Sequence, residues 1–254
     1  MNDRHKEQYI FGIRAIIEAI QAGKEIDRLY VKKDMGSDLT RELLEVARTH
    51  GVPVQRVPIE RINRITRKNH QGALAILATV SYYKVEQIVP MLFESGDNPF
   101  LVVLDGVTDM RNFGAIARTC DCAGVNAIVI PEHGSATVNA DAIKTSAGAL
   151  NYVPVCRERN LVDAIRYLKN SGFVIVGTSD KNAVNYTRVD YTVPVAVVLG
   201  AEDRGISPEV MRLCDNRVAI PEFGHINSLN VSVAGGIILY EVVRQRLDDN
   251  QIVD

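Results

Sequence analysis

Three short stretches of this 254-residue chain gather polar residues of the kind that chemistry needs. The first runs Asp105-Gly106-Val107-Thr108-Asp109-Met110-Arg111-Asn112-Phe113-Gly114 and on to Arg118. Asn112 stands where a helix is expected to begin, and the free N–H groups of such a terminus attract anions. Arg118 follows Gly114 by one turn on the same side, which leaves room for a phosphate or sugar beside its guanidinium. The same residues also read as an N-cap asparagine and a surface Arg118–Asp121 pair.

The second stretch is Leu199-Gly200-Ala201-Glu202-Asp203-Arg204-Gly205-Ile206-Ser207-Pro208. Its glycines bracket a charged turn, and Ser207-Pro208 reads as the N-cap and first residue of the next helix. Such a loop either wraps a ligand with main-chain groups or is an ordinary turn with an exposed Glu202. The third stretch, Ile220 to Asn230, leads into Val231-Ser232-Val233-Ala234-Gly235-Gly236. Ser228 or Asn230 would cap a long helix there. Gly235 and Gly236 each cost that helix about 1 kcal/mol relative to alanine, which points to another backbone packed close by. His225 reads as a loop-surface residue.

Other chemistries lack their residues. Neither the Rossmann nor the P-loop glycine spacing follows Asp105, which disfavours a nicotinamide enzyme or a nucleotide triphosphatase. The histidines are scattered, and no metal site is expected. Cys120 and Cys122 sit about 200° apart around a helix and cannot share one ion; both read as buried small hydrophobes.

The elements that must hold these stretches form two units. In the first, Ile13, Ile16, Ile17 and Ile20 recur at helical spacing before Gly23. A second helix spans Leu39–His50, and strands are expected at Arg28–Lys32, Val52–Val57 and Ala73–Val80. This small α/β unit takes in residues 1–80, and 81–98, with a short helix at Val85–Glu94, reads as a linker. From residue 99 to 254 the pattern is strand, loop, helix. The expected strands are Phe100–Leu104, Ala127–Ile130, Phe173–Gly177, Ala196–Leu199 and Arg217–Ile220. The helices are Asn112–Ala123, Asn139–Leu150, Asn160–Asn170, Ser207–Cys214 and Asn230–Leu247. Near-continuous apolar strands separated by helices imply a parallel sheet covered on both faces. Ligands then bind beyond the carboxyl ends of the strands, where all three polar stretches lie.

Hydrophobic residues make up 46% and charged residues 24%, ordinary for a globular protein. The apolar runs are too short to span a membrane. The charged first residues do not read as a secretory signal, and four cysteines without framework spacing point to a reducing, cytoplasmic location. The net charge of −2 argues against a general nucleic-acid binder, but its distribution differs. Residues 1–80 carry 14 Lys+Arg against 10 Asp+Glu. That surplus sits in Arg56, Arg61, Arg64, Arg67 and Lys68, opposed only by Glu60. A patch of this kind directs a polyanion to one face, or is a solvated helix face.

Taken together, the three stretches resemble the motifs of the SpoU family of RNA ribose 2′-O-methyltransferases, part of the SPOUT superfamily. The resemblance rests on Leu-Asp-Gly-Val-Thr-Asp-x-x-Asn-x-Gly-Ala-x-x-Arg at 104–118, Leu-Gly-Ala-Glu-x-x-Gly at 199–205 and Ser-Leu-Asn-Val-Ser-Val-Ala at 228–234. The first unit is similar to the ribosomal-protein-like substrate domain of the subgroup that methylates a guanosine in 23S rRNA. That similarity rests on Tyr9-Ile10-Phe11-Gly12 and His70-Gln71-Gly72. The resemblance implies a trefoil knot, S-adenosylmethionine as cofactor, rRNA as substrate and a homodimer with sites at the subunit interface. It also implies cofactor contacts at Thr178, Gly200, Ile220 and Leu229. Asn112, Arg118, Glu202, Ser228 and Asn230 match the polar set around the reacting ribose. Met110, Phe113 and Glu222 depart from the commonest pattern, and none removes a polar group the chemistry uses.

The family assigns the ribose proton to the arginine matching Arg118, yet a neutral guanidine is costly at pH 7. The expectation here is that Arg118 stabilises a developing alkoxide or holds the adjacent phosphate, with Asn112 and Asn230 orienting the ribose and Glu202 fixing the network. Two other readings compete. One is a tRNA guanosine 2′-O-methyltransferase, whose relatives carry basic extensions in place of a globular substrate domain. The other is a non-catalytic RNA-binding assembly factor, which predicts erosion of the polar set.

Overall fold

The computed structural model describes residues 9–250 except 97, 137, 181, 226 and 227. Residues up to 81, with 138–140, cluster as one compact unit; 82–137 and 141 onward form another.

The first unit runs β1 (Tyr9–Phe11), α1 (Ile13–Gln21), β2 (Ile26–Lys32), α2 (Asp38–Thr49), β3 (Val54–Val57), α3 (Ile59–Ile65) and β4 (Ala73–Leu77). Its sheet order is β1-β4-β2-β3, with β4 antiparallel to both neighbours and β2 parallel to β3. The isoleucine stripe of α1 packs with Leu43 and Ala47 of α2 on Leu29, Val31 and Ala75. The alternate strand residues Tyr30 and Leu74 pack with Ile62 of α3. Two-residue periodicity thus gives each face its own small core.

The second unit continues with β5 (Tyr82–Tyr83), α4 (Val85–Glu94), β6 (Phe100–Asp105), α5 (Met110–Cys122), β7 (Ala127–Pro131), α6 (Ala140–Thr145) and β8 (Val155–Glu158). Next come α7 (Leu161–Asn170), β9 (Val174–Thr178), β10 (Val184–Asn185), β11 (Val195–Gly200), α8 (Pro208–Met211), β12 (Asn216–Ala219) and α9 (Val231–Asn250). Eight strands make one sheet in the order β10-β12-β9-β11-β6-β7-β8-β5, and every pair is parallel. Leu101, Val103, Ala196 and Val198 face α4, α7 and α8. On the opposite face Leu199 lies against Gly235 of α9. The α/β class and parallel sheet are as expected.

Several boundaries differ. The stretch 81–98, expected as a linker, supplies β5 and α4 to the large unit. Glu158 of β8 accepts the Val85 N–H at 2.8 Å and ties the start of α4 to the sheet; burial pushes the pKa of that carboxyl up. The helix expected to begin at Asn112 starts at Met110, because Asp109 is the cap: its Oδ1 accepts from the N–H groups of Arg111 and Asn112. The helix expected through Leu150 stops at Thr145, and Ala147 and Gly148 then take φ of 52° and 92°. Helix α8 is one turn, not the eight residues expected from Ser207 to Cys214.

Candidate active site

Strands β12, β9 and β11 are neighbours, so the loops leaving Ala219, Thr178 and Gly200 emerge side by side at one end of the sheet. Next to β11 lies β6, whose exit leads to Asp105 and α5. Four separate parts of the sequence meet at this edge because the ladder order brings their strands together.

Within it a hydrogen-bond network joins residues from all three polar stretches. Asn230 donates from Nδ2 to Asn112 Oδ1 at 3.0 Å and to Glu202 Oε1 at 2.6 Å. Its Oδ1 accepts the Ser232 N–H at 2.9 Å and the Ser232 hydroxyl at 2.5 Å. Asn230 is therefore the cap of α9, and Ser228 is not. With both sides of the Asn230 amide engaged, its orientation is set by its partners. Asn112 in turn presents its oxygen to Asn230, and its NH2 group takes no part in these bonds. Glu202 keeps its second oxygen as an acceptor.

Gly200 is required by the loop itself. A Cβ there would lie 2.2 Å from the backbone of Gly205 and Ile206. Ala201 and Gly205 exchange backbone hydrogen bonds of 3.1 and 2.8 Å, which curls the loop back and projects Glu202. Asp105 braces it by accepting the Ser207 N–H at 2.7 Å. Gly114 does not open space beside Arg118 for a ligand. A Cβ there would meet the Thr145 side chain at 2.6 Å, so the missing side chain serves the packing of α6. Gly235 likewise accommodates the Leu199 side chain at 2.9 Å rather than another backbone, and Gly236 has only an ordinary contact at 3.9 Å.

Arg118 and Ser228 are exposed and make none of the hydrogen bonds that join Asn112, Glu202 and Asn230. Among the described residues, no Arg118–Asp121 ion pair forms. Thr178 ends β9, Ile220 follows β12, and Leu229 precedes α9 with 40% of its surface exposed. Phe223, in the same irregular segment, is 96% exposed. Phe223 is thus an almost uncovered apolar group, and Leu229 a partly open one. Among the described residues no cluster of three or more His, Cys, Asp or Glu is placed to hold a metal. Cys120 is buried, while Cys122 is exposed, against expectation. Burial raises the Cys120 thiol and pushes Cys156 up to about 12, so neither is a ready nucleophile.

In the first unit the five cations divide. Arg56 donates to the Lys33 carbonyl at 2.9 Å, Arg61 stacks over Tyr30 at 5.2 Å and Lys68 lies 5.6 Å from the Phe11 ring. Arg64 and Arg67 are exposed. A cavity of about 380 Å³ beside Lys68 is also lined by Lys32, Met35 and Gln71. Lys32 is a cation outside the run from Arg56 to Lys68, brought to the same cavity from the end of β2. His70 is structural. It pairs with Asn63 at 2.8 Å and accepts the Gly72 N–H at 3.0 Å, while Gln71 accepts the Ile13 N–H that opens α1.

The SpoU rRNA Methylase family matches residues 99–240, and the family described as RNA 2′-O ribose methyltransferase substrate binding matches residues 9–83. A TrmH family tRNA/rRNA methyltransferase of Staphylococcus aureus is 35% identical over 247 residues, covering 97% of this chain and 100% of that protein. One from Bacillus subtilis is 30% identical over 97% of this chain and 98% of its own length. Among solved structures, an AdoMet-bound rRNA methyltransferase from Sinorhizobium meliloti is similar at a TM-score of 0.60. It is 28% identical over 95% of this chain and 88% of that one. A TrmH/SpoU tRNA-modifying enzyme of A. aeolicus is similar at 0.56 and 37% identity, but over 65% of this chain and 86% of its own. With both of its units matched, the chain belongs to the SpoU family of RNA 2′-O-ribose methyltransferases.

Proposed function

We propose that this enzyme methylates a guanosine ribose of 23S rRNA, and that the Asn112–Asn230–Glu202 network positions that ribose. The methyl donor is S-adenosylmethionine, whose sulfonium supplies the electrophilic methyl group. The residues expected around it suit it. Thr178, Gly200 and Ile220 offer main-chain groups at adjacent strand ends, and the exposed Leu229 offers an apolar face for a purine ring.

The chain's own residues then have distinct tasks. The NH2 of Asn112 donates to a ribose or phosphate oxygen, in an orientation held by Asn230. Glu202 draws the Asn230 amide into place and keeps one oxygen for a second donor. The Arg118 guanidinium stabilises the negative charge that develops on the ribose oxygen as the hydroxyl proton passes to water. Its exposure away from the network fits a homodimer in which it serves the facing subunit's site. A trefoil knot around the loops at Gly200 and Ile220 belongs to the same reading.

The network carries the proposal, because three loops remote in sequence converge on one hydrogen-bonded set of amide and carboxylate groups that keeps a donor and an acceptor for a substrate. The substrate-binding unit favours rRNA over tRNA: the tRNA-modifying neighbour covers only 65% of this chain, whereas the rRNA methyltransferase covers 95%. The test is incubation with labelled S-adenosylmethionine and unmodified rRNA or tRNA, followed by mapping of the 2′-O-methyl group. Transfer to a guanosine of 23S rRNA is expected. Transfer to tRNA alone would reassign the substrate, and no transfer with cofactor bound would end the reading.

A further inference from the structure

The large unit carries a second opening at the strand ends, separate from the network. A cavity of about 270 Å³ lies beyond β6, β7, β8 and β11, lined among others by Asp105, His133, Arg159, Arg204, Glu209 and Val210. Of the strands whose ends carry the residues expected to hold the cofactor, β9 and β12 lie away from this cavity, whereas β11 serves both, with Gly200 on one side and Arg204 to Val210 on the other. Strand β6 leads into α5, which packs with α9, whereas β8 and β11 lead to α7 and α8 on the opposite face. Parallel sheets bind ligands at strand ends where successive connections diverge to opposite faces.

The lining indicates which ligand suits it. Leu161 and Val210 are buried and give an apolar floor, while Arg159, Arg204 and Glu209 are exposed at the rim. Two arginines and His133 line it together with two carboxylates, and Asp105 already accepts the Ser207 N–H. A phosphate would meet both carboxylates, so the balance favours a neutral polar ligand. The volume falls below the roughly 300 Å³ at which drug-sized pockets begin, which suits a single ring system. Guanidinium groups match the O6/N7 edge of guanine, and a carboxylate accepts from N–H donors on a base. Only guanine carries paired acceptors on one edge and paired donors, N1–H and N2–H, on another. Adenine and cytosine set a donor beside an acceptor on the edge the arginines would read.

We infer that this cavity binds a guanine base of the substrate RNA, held out of its stack over Leu161 and Val210. Arg159 and Arg204 read its acceptor edge and Glu209 its donor edge. The inference rests on the RNA-methyltransferase reading but concerns a site apart from the reacting groups. Asp105 and Ser207 lie at this cavity and also brace the loop carrying Glu202, so an occupied pocket would set the RNA's register against the network.

Equilibrium binding of GMP, AMP, CMP and UMP to the full-length protein tests it, beside Arg159→Ala, Arg204→Ala and Glu209→Gln. GMP is expected to bind about tenfold more tightly than the others, and each variant to lose that preference. Equal binding of the four nucleotides, or a guanine preference that survives all three substitutions, overturns the inference. With an RNA the enzyme methylates, each variant should raise KM about tenfold at near-parent kcat, with S-adenosylmethionine affinity unchanged. An unchanged KM in all three also overturns it. Failure of the parent to methylate any RNA would count against the functional reading instead, and the nucleotide binding would still decide the pocket. Inosine, which lacks the N2 amine, placed at the methylated position or beside it shows which base enters: KM rises only for the one that does.

Discussion

Asn230 uses its whole side chain at once: two donors to Asn112 and Glu202, and an acceptor for the first turn of α9. Stability and orientation therefore share one residue, and two substitutions separate them. Asn230→Asp keeps the capping oxygen but loses both donors and sets a carboxylate against Glu202. Asn230→Ala loses everything, including a cap worth about 1 kcal/mol. Both are expected to slow methyl transfer on the order of 100-fold through misplacement of Asn112. The alanine variant should also melt a few degrees lower through loss of the cap, and the aspartate variant should recover Tm when Glu202 is neutralised by Glu202→Gln. An aspartate variant that turns over at the parent rate would show that the network does not orient the reaction.

At the scale of elements, α9 is fitted to the sheet at Gly235 and held by its far end. Gly235→Ala would force a methyl group to 2.9 Å from buried Leu199, whereas Gly236→Ala meets Thr119 at 3.9 Å. Overpacking costs roughly 1–3 kcal/mol and a helical alanine returns about 1. Gly235→Ala should therefore lower Tm and Gly236→Ala raise it; equal shifts would contradict the packing. Toward the far end, Glu241 accepts from Arg244 at 2.8 Å through both oxygens and from Gln245 at 2.8 Å. Gln245 in turn binds Tyr191 N–H and the Val189 carbonyl. The bonds from Arg244 hold the Glu241 carboxyl below its ordinary value. A depressed folded pKa gives stability that is present above the unfolded value and lost as pH falls through the folded one. Glu241→Gln should therefore lower Tm at pH 7, with the gap closing below about pH 4. A gap that persists in acid would assign the effect to packing rather than charge.

The same elements show what could be read from the chain. Strands β6, β7, β9 and β11 were legible because burial on both faces demands unbroken apolar runs. Strand β8, Val-Cys-Arg-Glu, holds too few apolar residues to stand out, and β5 and β10 are two-residue edges. The end of α6 was hidden because Ala147, ahead of Gly148, is the first residue to turn left-handed. At the site, Asn112, Glu202 and Asn230 were found through motif spacing, but the cap was misassigned because Asp109 and Asn112 are both capping types three residues apart. The place of Arg204 beside Gly106 is a tertiary contact with no local signal.

For the molecule as a whole, α9 poses the remaining question, because it is apolar on two sides. Ile238, Leu239 and Val242 are buried, yet Val233, Tyr240 and Leu247 are 50%, 51% and 56% exposed at a spacing of seven. That spacing lines them along one side of a helix about 30 Å long. A helix fully served by its own subunit would carry polar residues there, so the stripe suits the proposed homodimer. Tyr240→Glu with Leu247→Glu is expected to give a monomer by sedimentation, with the fold retained by circular dichroism and methyl transfer reduced on the order of 100-fold. A monomer as active as the parent would remove the dimer from the mechanism. A mixing experiment goes further, because Arg118 stands apart from the network within its own subunit. Arg118→Ala and Asn230→Ala proteins, each inactive alone, are refolded together. If Arg118 serves the facing site, one of the two sites in each mixed dimer holds both residues, and about a quarter of parent activity returns in a two-fold assembly. If Arg118 serves its own subunit, each site lacks one of the two residues and no activity returns.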